Sequence, residues 1–371
     1  MEGYRTWLEI NKEAIYENVD KIKGDFLKDQ YLMGVVKGNA NGYGTVLYSQ
    51  TLQKAGVDWL GLTNIKEALT ILKEGIKLPI LILCDIPYSY INIALKKQIR
   101  LTVYDKRTVK RIKNKAKNLN LSAKVHIKIN TGLNRIGVSP DNFTKLAETI
   151  KNSPHMEIEG VFTQFSTTHH FKKEKTRKQL NLFLGLIEEA KNIGIDIPIL
   201  HAASTPSTLK MPETHLDMVR VGIGLAGLYP SKEYRKIIDL KFPLAWKSKV
   251  CQVKLVKQGE YVGYDDGYRC QKKTLIATIP VGTADGLTIK LAGRGYILID
   301  GQRYDIVAVS MNHIMVDLKE VDGKIKKGDE VVIIGKQKNS FIDPAHIAKK
   351  INLDMEEYLC HINPMLPRIY Y

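Results

Sequence analysis

Eight short apolar segments recur through the first 240 residues or so of this 371-residue chain. They fall at residues 32–36, 59–62, 80–83, 100–104, 124–129, 158–165, 197–200 and 218–223. Between most of them lie stretches with helical periodicity, such as Ile65, Leu69 and Leu72 after the candidate cap Asn64, and another, Ile15, Val19, Ile22 and Phe26 after Asn11, precedes the first,. Apolar runs of this length bounded by turn residues read as parallel strands buried on both faces. Eight of them alternating with helices predict a (β/α)8 TIM-like barrel. An open doubly wound sheet is the alternative, and no G-x-G-x-x-G follows the first segment to support it,.

Past about residue 240 the texture changes. Residues 250–256, 273–279, 296–299, 304–309, 314–318 and 330–334 are short, rich in Val and Ile, and separated by turns such as Asp300-Gly301 and Asp322-Gly323. They predict a C-terminal mostly-β domain with one helix near 344–351. The segment Thr6-Trp-Leu-Glu-Ile10 is strand-like as well and is expected to pair with that domain. The expected division is therefore 10–238 for the barrel, and 1–9 plus 239–371 for the β domain. There is no internal repeat.

Composition excludes several classes. Apolar residues make up 44%, ordinary for a globular protein,. No apolar run reaches the ~18 residues of a spanning helix, and the start lacks the apolar core of a signal peptide. Four distant cysteines, Cys84, Cys251, Cys270 and Cys360, have no framework or metal spacing,. These features fit a cytoplasmic protein with reduced thiols and no membrane partner. The net charge of +17 raises nucleic acid as a partner,. The basic residues are spread along the chain, however, and no nucleic-acid-binding motif accompanies them. A solvated basic surface that attracts anions is the better reading. The adjacent His169-His170 pair lacks helical spacing and reads as surface, so no metal site is expected.

In a barrel the chemistry sits at the C-terminal ends of the strands. Read there, the sequence offers Lys37, Lys128, Asn130 to Arg135, Gln164, His201 to Thr205, and Arg220-Val-Gly222-Ile223. Amines, guanidinium groups, hydroxyls and a Gly-containing turn suit an anionic, phosphate-bearing ligand, with Thr205, Gly222 and Ile223 as backbone N–H donors. Lys37 ends an apolar run before the Gly-rich stretch Gly38 to Gly44 and is expected to be half-buried. Desolvation lowers a lysine pKa and frees the amine to attack an aldehyde.

The same residues carry a resemblance. Val35-Val-Lys-Gly-Asn-Ala-Asn-Gly-Tyr-Gly44, Lys128-Ile-Asn-Thr-Gly-Leu-Asn-Arg135, Val219-Arg-Val-Gly-Ile223, Val262-Gly-Tyr264-Asp, Pro280-Val-Gly-Thr-Ala-Asp-Gly286 and Val309-Ser-Met311-Asn resemble, in order and spacing, the motifs of the alanine racemase family. The resemblance covers essentially the whole chain. It implies a pyridoxal-phosphate enzyme of barrel plus β domain that interconverts L- and D-alanine for peptidoglycan. By the same resemblance Lys37 holds the cofactor and works on one face of the substrate Cα, while Tyr264 works on the other. Inversion needs proton removal on one side and delivery on the opposite side, hence two groups. Arg220 faces the pyridine nitrogen, and His201, Ser204, Thr205, Gly222 and Ile223 belong to the cofactor site. Arg135, the Met311 N–H, Asn312 and Thr283 meet the substrate. Lys128 matches a lysine that is often carbamylated and braces Arg135. Tyr264 and Met311 reach into a neighbouring subunit, so a homodimer with shared active sites is implied.

Several positions depart from the family pattern. Asn41 and Glu356 stand where phosphate-binding tyrosines are expected, Thr283 replaces a tyrosine, Gln164 a histidine, Ser204-Thr205 an Asn-Ser pair, and Asn312 an aspartate. These changes predict a roomier, more polar pocket. Serine or basic amino-acid racemisation therefore stays open. So does a catalytically weak pyridoxal-phosphate-binding protein, though Tyr264 and the second domain speak against it.

Overall fold

A computed structural model describes residues 3–167, 171–319 and 323–371. His169-His170 and the expected turn residue Asp322 lie outside them. The chain divides into two compact units. One comprises Glu13–Gly38 and Thr45–Lys241; the other comprises Met1–Lys12, Asn39–Gly44 and Phe242–Tyr371.

Strand β1 (Thr6–Ile10) belongs to the second unit. The first unit is built on β2 (Tyr31–Val35), β3 (Trp59–Leu62), β4 (Ile80–Ile82), β5 (Arg100–Val103), β6 (Ala123–Lys128), β7 (Met156–Phe162), β8 (Ile199–His201) and β9 (Met218–Val221). All pair in parallel, in the order β8-β7-β6-β5-β4-β3-β2-β9. The ends meet where Asp217 N–H donates to the Leu200 carbonyl (3.0 Å) and Arg220 N–H to that of Ala203 (3.1 Å). This is the expected TIM barrel, with strand ends shifted by up to three residues. Met33, Trp59, Leu81, Ile199 and Met218, from five strands, form one buried hydrophobic cluster.

The helices show why the sequence periodicity was readable. In Lys106–Leu119 the buried residues are Val109, Ile112 and Ala116, one stripe at helical spacing,. Asp105 caps its first turn, accepting from the Thr108 N–H at 2.8 Å,. Lys106, Arg107, Lys110 and Lys117 of this helix are exposed. Here the chain's positive charge is a solvated face.

In the second unit β1 joins β10 (Leu244–Lys249), β11 (Gln252–Val256), β14 (Thr274–Ile279), β15 (Tyr296–Ile299), β16 (Gln302–Val309), β17 (Ile314–Asp317), β18 (Glu330–Gln337), β19 (Ser340–Ile342) and β20 (Arg368–Tyr370) in one ten-stranded sheet. A two-stranded ribbon, β12 (Tyr261–Val262) with β13 (Tyr268–Arg269), stands apart from it. β1 lies between β10 and β20. The predicted helix is present as Pro344–Lys350, and a second, Met355–Cys360, follows it. β10, β12, β13, β19 and β20 escaped the sequence reading. β10 alternates buried and half-buried residues around Lys247 and Lys249, a weaker signal than an apolar run.

Candidate active site

The apolar run before Lys37 ends at buried Val36, and the backbone then turns left-handed. Gly38, Asn39, Ala40 and Asn41 have φ of 64°, 55°, 50° and 53°. A left-handed turn costs L-residues about 1–2 kcal/mol each, which Gly and Asn evade best. The composition Gly-Asn-Ala-Asn-Gly therefore permits it, with Ala40 the strained member. Gly42 follows at φ 90°, where a Cβ would stand 2.8 Å from the Leu359 carbonyl oxygen. Lys37 leads this turn and is exposed, not half-buried as expected. The desolvated amine of the barrel unit is Lys128 instead.

Lys128 ends β6, with its Nζ 5.3 Å from the Phe162 ring centroid. Burial, then Arg220 and Arg135, bring its pKa down to about 8. The unmodified Lys128 amine makes no hydrogen bond to Arg135 among the described residues, since both side chains are donors only. Arg135 is exposed, at the end of a loop organised by Asn130. The Asn130 Oδ1 accepts from the N–H of Gly132 (3.2 Å) and Asn134 (3.0 Å).

Arg220 is buried at the end of β9. Its Nη1 donates to His201 Nδ1 at 3.1 Å. Its Nη2 faces Thr163 O (2.8 Å), Gln164 Oε1 (3.0 Å) and Ala202 O (3.1 Å). Every partner is neutral, and burial lowers its pKa to about 9, so it stays cationic near neutrality. A guanidinium has five N–H donors. Nε–H and one Nη1–H of Arg220 meet no acceptor among the described residues. Gln164 thus serves Arg220. His201 is fully buried with both ring nitrogens engaged, so it stands behind Arg220.

Ser204 N–H is taken by Ser207 Oγ (3.0 Å), while the N–H groups of Thr205 and Ile223 meet no acceptor among the described residues. Gly222 N–H makes only a long contact to Thr205 Oγ1, 3.4 Å. The barrel unit thus offers an exposed amine, spare backbone donors and an unneutralised buried cation. An aldehyde-bearing aromatic phosphate with a ring acceptor fits such a set.

Behind Arg220 lies a cluster that reading strand ends could not find. His201 Nε2 is 2.9 Å from His126 Nδ1, and His126 Nε2 is 3.3 Å from Glu159 Oε2. Burial lowers the pKa of both histidines; Arg220 lowers that of His201 further, well below the usual value. Both rings are therefore neutral when folded and free to protonate near pH 6.5 when unfolded. Their contribution to stability is complete above pH 6.5 and is lost as pH falls. Between pH 6 and 5 the folding free energy is expected to drop by up to roughly 2.7 kcal/mol per pH unit. Urea unfolding at a series of pH values checks this; a flat profile above pH 5 counts against it.

The second unit gathers its own candidates. Cys360 Sγ lies 3.8 Å from Asn41 Oδ1, and Arg368 Nε donates to the Gly42 carbonyl at 2.9 Å. Glu356, in the first turn of Met355–Cys360, is half-buried and has no cationic partner among the described residues. Tyr358 does not restore the missing phenol, being fully buried. Thr283 N–H donates to Ser310 O (3.1 Å) and Ala284 N–H to Met311 O (2.9 Å), so the turns carrying Thr283, Met311 and Asn312 lie side by side. Met311 N–H is unbonded among the described residues. Tyr264, beyond β12, is 77% exposed, and Met311 is 68% exposed.

Comparison with known proteins places this arrangement. Residues 10–230 match the model of the alanine racemase N-terminal domain, and 244–370 that of the C-terminal domain. The chain belongs to the alanine racemase family. Alanine racemase 1 of Caldanaerobacter subterraneus subsp. tengcongensis is 35% identical over 373 residues, covering 100% of this chain and 96% of that protein. The alanine racemase structure of Clostridium difficile 630 superposes with a TM-score of 0.95 at 33% identity, covering 100% and 97% of the two chains. A histidine racemase of Leuconostoc mesenteroides subsp. sake has a TM-score of 0.90 at 26% identity, covering 100% and 99%. One racemase fold thus carries more than one named substrate. Among the described residues there is no metal-ligating cluster, and no helix is long and apolar enough to cross a membrane.

Proposed function

We propose that the protein is a pyridoxal-phosphate-dependent alanine racemase supplying D-alanine for peptidoglycan. The observation that carries this reading is the buried, unneutralised Arg220, two of whose donors meet no acceptor among the described residues. They suit a ring nitrogen that accepts a hydrogen bond. The spare N–H groups of Thr205 and Ile223, with Ser204 and Gly222, hold the phosphate, and Lys37 binds the aldehyde. When bound, the cofactor withdraws electrons from the substrate Cα and makes its proton acidic. An arginine keeps its own proton, so Arg220 orients the ring without protonating it.

The chain's own groups do the rest. The Lys37 amine carries a proton on one face of Cα and the Tyr264 phenol carries one on the other. Arg135 and the Met311 N–H hold the substrate carboxylate, with Asn312 and Thr283 beside them. We assign the barrel to 10–238 and the β domain to 1–9 plus 239–371. The protein is a homodimer of the cytoplasm whose active sites are shared. The exposure of Tyr264 and Met311 supports this, because a proton carrier open to water is ill placed until another surface covers it.

Lys128 is carbamylated in this reading. Only a neutral amine adds CO2, and a pKa of about 8 leaves an appreciable neutral fraction. The product also replaces a cation beside Arg220 and Arg135 with an anion. Labelled bicarbonate is expected to give one carbamate ¹³C signal that is absent from Lys128→Ala; its persistence in that variant sinks the assignment.

Glu356 favours a second substrate reading. A half-buried carboxylate with no cationic partner among the described residues, where the family has a phosphate-binding tyrosine, suits a basic amino acid; Asn41 and Thr283 leave room for that or for serine. Chiral chromatography of alanine, serine and lysine incubated with the holoenzyme tests both readings. Alanine turning over far faster than the others removes the second. No racemisation of any of them removes the first and leaves a weakly active cofactor-binding protein.

A further inference from the structure

We propose that Glu159 is a positioning residue: through His126 and His201 it fixes the direction in which Arg220 donates its hydrogen bonds. The inference deepens the racemase reading and rests on it for its catalytic consequence, but not for its structural content. Each link follows from donor and acceptor chemistry. Arg220 Nη1 can only donate, so His201 Nδ1, at 3.1 Å, must accept,. The His201 proton is then on Nε2 and is donated to His126 Nδ1 at 2.9 Å. His126 in turn carries its proton on Nε2 and donates it to Glu159 Oε2 at 3.3 Å. A cation at one end and an anion at the other thus leave a single tautomer for each ring. Reversing the chain would set a His201 N–H against an Arg220 N–H.

The anionic end is itself secured. Arg100 grips Glu159 through Nε (3.0 Å) and Nη2 (3.1 Å), and Lys124 Nζ adds a contact at 3.2 Å. Against the upward push of burial, the bonds from His126 and Arg100 hold the Glu159 pKa down at about 2. The strand pairing explains how this carboxylate reaches the barrel interior. Val125 pairs with Ile158 but His126 pairs with Gly160, so Glu159 is an extra residue at a slip between β6 and β7. Such bulges re-aim side chains. The rings are fixed by packing as well. His201 stacks on Phe162 (4.7 Å, 9°), and His126 meets Trp59 edge-on (5.7 Å, 68°).

The test is ¹⁵N NMR of the holoenzyme labelled at histidine, assigned with His126→Asn and His201→Asn. The expected result is an Nε2–H tautomer for both rings in the wild type. In Glu159→Gln, whose amide can donate as well as accept, the His126 tautomer becomes mixed. Turnover of Glu159→Gln is expected to fall about tenfold at unchanged KM, the scale on which outer partners of functional histidines act. Glu159→Asp should recover part of it. Arg100→Gln, which leaves the His126 contact in place, should fall between wild type and Glu159→Gln and guards against a folding failure of the latter. An Nδ1–H tautomer on either wild-type ring overturns the proposal. So does a Glu159→Gln protein with both wild-type tautomers and wild-type turnover. The wild-type tautomers stand whatever the substrate proves to be, so failure of the racemase reading is told apart from failure of the relay.

Discussion

Two nearly inactive variants, Lys37→Ala and Tyr264→Phe, are expected to regain about a quarter of wild-type turnover when their subunits are mixed and allowed to exchange. The arithmetic follows from twofold symmetry. If Lys37 of one subunit works with Tyr264 of the other, each mixed dimer has one intact site and one lacking both groups. Random exchange makes half of the dimers mixed. Separately, on the roles proposed above, Lys37→Ala would lose both cofactor attachment and one proton carrier, and should fall to background. On the same roles Tyr264→Phe would lose one general acid–base group, worth about 10²–10⁴-fold. Tyr264→Phe should still exchange the Cα hydrogen of one enantiomer with deuterated solvent, because only one face has lost its proton carrier. Mixing without recovery, while each variant still forms a stable dimer, would mean that each subunit works alone. The 77% exposure of Tyr264 would then need another explanation.

Gly160→Ala is expected to destabilise the barrel by about 3 kcal/mol, at the upper end of the usual cost of overpacking. A Cβ there would stand 2.6 Å from His126 Nδ1 and 2.7 Å from the Ile199 carbonyl oxygen. Neither neighbour is a flexible side-chain end: one is a buried ring held on two sides, the other is backbone of β8. The imidazole must therefore leave the His201 contact, and the loss should appear both in urea unfolding and in the histidine tautomers. A Gly160→Ala protein with wild-type stability and tautomers would show that the barrel interior yields more than its packing implies. Gly185, whose position has open space, is the control, since Gly185→Ala meets nothing within 4 Å.

Legibility was uneven for physical reasons. An exposed lysine at a strand end and a buried one look alike in sequence, which is why Lys37 was expected to be half-buried and Lys128 proved to be the desolvated amine. Glu159 and His126 were missed because they lie inside strands, where a polar residue in an apolar run signals nothing until its neighbours are known. The segment Asn39–Gly44 read as a barrel loop, yet it clusters with the second unit through contacts to residues more than 300 positions away.

The sequence by itself determined the barrel, the β-rich second unit and the family, because apolar periodicity and motif order are local properties that survive without coordinates. The tertiary structure alone decided which cations are desolvated, which way the two imidazoles are protonated, and where Gly160 leaves room for a ring. Those depend on distances between residues far apart in the chain, and on the absence of water between them, and no spacing along the sequence records either.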